Sequence, residues 1–85
     1  MTFPLVEIIW EDAAHCGDGT YNLKEARAYS TACARTVGYL LRKDKKEVVL
    51  CMTHFYHDRD MEDSFRLLWM IPRGCIKSIR YLVNP

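Results

Sequence analysis

Long apolar runs are missing from this chain. Nothing in its 85 residues approaches the roughly 18 consecutive apolar residues of a membrane-spanning helix, so no such span is expected. An excess of one charge is missing too. Twelve Lys and Arg stand against eleven Asp and Glu, a net charge of +1. No overall field draws the chain to a polyanion, and nucleic-acid binding would have to rest on a local patch. The four cysteines, Cys16, Cys33, Cys51 and Cys75, form no CxxC pair. They read as free thiols, mostly in the core, in a reducing cytosol. The opening "MTFPLVEIIWEDA" lacks a basic region and carries acids early, so no secretory leader is expected.

What remains is an ordinary globular composition, 49 % apolar and 27 % charged. The length suits one domain, 1–85, with a small core and much exposed surface. "PLVEIIW" (Pro4–Trp10) is rich in β-branched residues and predicts a first strand. "HCGDGT" is a loop. Tyr21–Ala34 then reads as a helix, with Asn22 as N-cap, Glu25 three residues on, and Leu23, Ala26, Tyr29 or Ser30, and Cys33 as an apolar stripe. A structured excursion is the alternative. "RTVGYLLRKDKKEVVLCMTHFY" predicts a hairpin turning at "RKDKK". "SFRLLWMI" (Ser64–Ile71) and "CIKSIRYL" (Cys75–Leu82) are two more strands, separated by the "PRG" turn. The fold class is mainly β (α+β): five antiparallel strands with one short helix after the first. Closure into a small barrel would remove exposed edges.

The ending "IPRGCIKSIRYL" is similar to the close of small SH3-like and Sm-like barrels, with Ile71, Pro72, Ile76, Ile79 and Leu82 at the matching positions. "GYLLRKDKKEVVL" resembles their bent central hairpin. The wider pattern "IIWEDA … TVGYLLRKDKKEVVLCM … WMIPRGCIKSI" resembles small proteins carried by phages and prophages. The Sm signatures for uridine are absent: there is no Asp-x-x-Asn in the first segment and no Arg-Gly-Asp in "IPRGC". The resemblance thus implies a fold, a host-cytoplasmic location if phage-encoded, and accessory roles such as inhibiting host defence enzymes or sequestering nucleotide signals between subunits.

Four groups of residues have chemical potential. His15, Cys16, Cys51, His54 and His57 are zinc-type donors, but their spacing matches no zinc signature and no metal or other cofactor is expected. His15 and Cys16 with Asp12, Asp18 or Asp58 make no recognisable nucleophile and base, and "GDG" is too short for a phosphate loop. No catalytic residue is assigned, and the chain is expected not to be an enzyme. The basic residues Arg35, Arg42, Lys43, Lys45, Lys46, Arg66, Arg73, Lys77 and Arg80 come with a supply of aromatics. Arginine forks grip phosphate and aromatic faces stack bases. Strand pairing between the segments carrying Arg66, Lys77 and Arg80 is expected to let those cations converge. The ligand-binding set is therefore Arg73, Lys77, Arg80, Arg66, Tyr81 and Trp69. In the acidic loop "HDRDMED", Asp58, Asp60, Glu62 and Asp63 read as solvated, while Phe55, Tyr56 and Met61 are the protein-contact candidates.

The function these readings favour is a non-catalytic phage or prophage binding protein. It would sequester a nucleotide-like anionic ligand as a homo-oligomer, in an anti-defence role. The alternative is an interaction module that inhibits a host defence protein, and a second alternative is an RNA- or DNA-binding small barrel.

Overall fold

The computed structural model describes residues 3–13, 19–56 and 62–82. Five antiparallel strands form one sheet: β1 (Leu5–Asp12), β2 (Ala32–Lys43), β3 (Glu47–Phe55), β4 (Ser64–Pro72) and β5 (Ile76–Tyr81). A helix, α1 (Leu23–Ala28), lies between β1 and β2, and a 3-10 turn, Arg73–Cys75, joins β4 to β5. The chain is mainly β, as its sequence predicts.

The helix is shorter than predicted. Asn22 caps it as expected, its Oδ1 accepting from the Glu25 backbone N at 2.9 Å. Yet it ends at Ala28, and Ala32, Cys33 and Ala34 instead pair with Asp12, Glu11 and Trp10. The ladder satisfies their backbone groups while bringing Trp10 over β2; a six-residue helix with no buried side chain has little to hold more turns together.

The order across the sheet is β4-β3-β2-β1-β5. The last strand does not pair with β4, its neighbour in sequence; it crosses to β1, with Ile8 opposite Ile79 and Glu7 opposite Arg80. This corrects the expected convergence of Arg66 with Lys77 and Arg80. Arg66 sits on the opposite edge of the sheet, across from Thr53.

One face makes the core. Side chains alternate along a strand, so Val6, Ile8 and Trp10 of β1 share a face and are all buried. Val48 and Leu50 of β3 and Ile71 of β4 join them, with Ala34, Leu40, Cys75, Ile76 and Ile79 packed around. A flat single layer cannot bury side chains this fully, so the sheet must curve onto itself. Two irregularities permit the bend: a register shift between Leu40 and Arg42 on β2, and another at Ile9/Trp10 where β1 meets β5. Gly38 serves the same curvature. A Cβ there would lie 2.7 Å from the Cys51 carbonyl oxygen, a backbone approach that only glycine permits. Each fully buried aliphatic side chain contributes about 1.5–3 kcal/mol.

The curve brings β1 and β4 together through side chains, Trp10 against Trp69. Among the described residues no ladder joins β4 to β5, so both remain edge strands. The molecule is long, 61 × 26 × 24 Å, with a radius of gyration of 17.3 Å. A compact chain of this length would have roughly 12 Å. Much apolar surface is therefore left outside the core.

Candidate ligand-binding cleft

The β2–β3 turn is built by Asp44, whose Oδ1 accepts from the backbone N of Lys46 and of Glu47, both at 2.9 Å. These bonds hold the Asp44 carboxyl below its usual range. Arg42 is tied to this turn by ion pairs with Asp44 and Glu47. Lys43 is not: the shift at Leu40/Arg42 puts it opposite Val48, on the core side of the sheet rim. Its Nζ donates to Tyr81 Oη at 3.1 Å and lies 5.5 Å from the centre of that ring.

The 3-10 turn docks beside the same hairpin, the Arg73 backbone N donating to Lys46 O at 3.0 Å. Arg73 has no acidic partner among the described residues. β5 then runs past the turn, carrying Lys77 and Ser78. Together Lys43, Arg73, Ile76, Lys77, Ser78 and Ile79 line a cleft of about 270 Å³. Three cations from three separate segments thus line one concavity together with two isoleucines and a serine.

One of the three is partly neutralised. Lys77 Nζ lies 2.8 Å from Glu11 Oε1. The pairing lowers the Glu11 carboxyl and raises the Lys77 ammonium from their ordinary values, keeping both charged. The pair is exposed, so a phosphate oxygen competes with Glu11 for Lys77 at little cost.

The structure brings only part of the sequence-derived set to this place. Arg73 and Lys77 line the cleft, and Tyr81 borders it through Lys43. Arg80 lies on the opposite face, 3.2 Å from Glu7, which also faces Arg35 at 3.7 Å. Arg66 is on the far edge strand. Trp69 packs on Trp10 and stays partly exposed. Lys43 is the addition. The basic turn shows in the sequence, but the irregularity that separates Lys43 from Arg42 does not.

The remaining candidates lie elsewhere. Phe55 and Tyr56 are exposed at the far end of β3. Met61 is outside the described residues, as are His15, Cys16, Asp18, His57, Asp58 and Asp60. His54 is held by Asp63 at 2.7 Å and stacked on Phe65, ring centroids 4.9 Å apart. Cys51 is buried, which pushes its thiol up and makes it a poor nucleophile. Among the described residues no three His, Cys, Asp or Glu side chains group as a metal site, and no helix is long and apolar enough to cross a membrane. No protein-family model, curated protein or solved structure matches this chain.

Proposed function

We propose that this protein is a non-catalytic binding protein that takes a nucleotide-like anion in the cleft between Lys43, Arg73 and Lys77. The observation that supports it is the meeting of three cations from β2, the 3-10 turn and β5 around one concavity, two of them without an acidic partner among the described residues. Arg73 offers a two-point grip on phosphate, and the lysines add point charges. Ile76 and Ile79 give the apolar part of the lining that a ribose or base edge would cover. At about 270 Å³ the cleft accommodates part of a nucleotide. A homo-oligomer would supply the rest of the enclosure. In this reading the biological role is the one its sequence resemblance suggests: a phage or prophage accessory factor, acting in the host cytoplasm, that withholds a nucleotide signal from a defence system.

Thermal unfolding in the presence of cyclic dinucleotides, mononucleotides and inorganic phosphate tests this. A ligand at a hundred times its Kd adds about 2.7 kcal/mol, which for a domain this small raises Tm by roughly 10 °C or more. The shift should vanish in Arg73→Ala and persist in Arg80→Ala. Absence of any shift at millimolar concentrations of all three classes rejects the reading.

The interaction-module alternative draws on Phe55 and on Tyr56, 79 % exposed, beyond the core end of the β3–β4 hairpin. If a host protein binds there, Phe55→Ala with Tyr56→Ala abolishes the complex and leaves the anion shift intact.

A further inference from the structure

β4 is an edge strand with the side chains of a central one. Its run Leu67-Leu68-Trp69-Met70-Ile71 is continuously apolar, the pattern of a strand covered on both faces and paired on both sides. Leu68 and Met70 lie opposite Cys51 and Val49 on one face, while Trp69 and Ile71 lie opposite Leu50 and Val48 on the other. Among the described residues one side of it is paired, to β3. Leu67, Leu68, Trp69 and Met70 remain 65, 49, 44 and 58 % exposed.

The other edge is different. β5 is six residues long and carries exposed Lys77 and Arg80, the charges that ordinarily protect an edge from pairing. Within β4 the single charge is Arg66; Pro72 blocks pairing at its last residue and Leu67, at φ 60°, interrupts the ladder near its start, which leaves Leu68–Ile71 as the regular open edge.

We infer that β4 is the interface through which two copies of this chain associate, antiparallel, about a two-fold axis near Leu68–Met70. Antiparallel pairing is selected by charge. Glu62 and Asp63 precede β4 and Arg73 follows it. An antiparallel partner sets each Arg73 between Asp63 and Arg66 of the other copy; a parallel one sets Arg66 against Arg66 and acid against acid. A two-fold axis makes the same patch serve both copies.

The exposed apolar area lies on both faces of the edge. At about 200 Å² for a fully exposed large apolar residue, β4 and the neighbouring Met52 leave on the order of 500 Å² uncovered per copy. An edge-to-edge partner covers the part of this area that lies beside the seam, and the paired backbone adds to it, so the interface belongs to the small, concentration-dependent class below about 1,200 Å². This inference bears on the assembly part of the proposed function. It does not need the cleft to hold a ligand.

Light scattering on the purified full chain, without ligand, tests it. The expected mass is twice the 10.0 kDa of the chain. Leu68→Lys with Met70→Lys should weaken association at least about thirtyfold and give a folded monomer, since truncating a central apolar anchor has this effect. Hydrogen exchange of the unaltered chain needs no variant: β4 amides should gain protection as concentration rises, and β5 amides should not. A monomer at about 200 μM overturns the inference. So does an assembly that persists in the Lys variant, or protection gained at β5 instead. Loss of the anion shift with the dimer intact would reject the cleft and leave this interface standing.

Discussion

Trp10 and Trp69 meet at 5.9 Å between ring centroids, at 63° to each other, although β1 and β4 are separated by two strands. In a flat sheet those strands lie about 14 Å apart. The contact is therefore the signature of the curved sheet, and it joins a buried ring to a partly exposed one. Trp10 is additionally fixed by its indole N–H, which donates to Thr36 Oγ1 at 3.0 Å.

Trp10→Ala should cost about 3–5 kcal/mol in urea unfolding, the range for a buried aromatic. Trp69→Ala should cost less, about 1–2 kcal/mol, because its ring is already half in water. The double variant should show a coupling of about 0.5–1.5 kcal/mol, the worth of an edge-on aromatic pair. Strict additivity would mean that the two strands are not held together by these rings.

Gly38→Ala places a methyl where the Cys51 carbonyl oxygen lies 2.7 Å away. Strand backbone must shift to admit it, at a cost of about 1–3 kcal/mol. Gly74→Ala is the control, since nothing lies within 4 Å of a Cβ there. Equal melting temperatures for the two variants would contradict the close approach of β2 and β3.

Stability should fall in acid through Asp44 and Glu11. Both carboxyls are lowered in the folded chain, Asp44 by the two turn hydrogen bonds and Glu11 by Lys77. Their contribution is complete above their ordinary values of 3.8 and 4.5 and is lost as pH drops through the lower folded values. Lys77 has the opposite sign: raised in the fold, its contribution is complete below the ordinary 10.5 and lost as pH rises through the higher folded value. Tm measured from about pH 6 to 2 should therefore slope less in Asp44→Asn with Glu11→Gln than in the unaltered chain. Parallel slopes would assign the acid loss to other groups.

Alkylation separates the thiols. Cys33 is exposed and should react within minutes at mildly alkaline pH, whereas Cys51 is buried with its thiol pushed up and should react only on unfolding. Mass spectrometry of the labelled peptides reads the order directly. Early modification at Cys51 would show that β3 is not packed as described.

Glu11→Gln removes the carboxylate that holds Lys77 at 2.8 Å. The freed ammonium should bind a phosphate-bearing ligand a few-fold more tightly, as expected for loss of one exposed competitor. Calorimetry with the ligand identified in the thermal screen measures it. Unchanged affinity would place the anion away from Lys77.

The sequence by itself determined the strands and their turns. The β-branched run Pro4–Trp10, the apolar run Val48–Met52, the "RKDKK" turn and the "IPRG" break are local signals, because strand preference and turn chemistry act over a few residues. The Asn22 cap was legible for the same reason, since its bonds reach only to Glu25. The extent of the helix was not, because Ala32–Ala34 answer to β1 rather than to their neighbours. Only the tertiary structure decided what the basic residues do. The crossing of β5 to β1 sends Arg80 to Glu7 and leaves Arg66 on the far edge. The bulge on β2 turns Lys43 toward Arg73 and Lys77 while Arg42 stays with Asp44 and Glu47. Strand order and bulges are settled by contacts between segments dozens of residues apart, where the curved sheet buries Ile8, Leu50 and Ile71 together. No local pattern of charge encodes that arrangement.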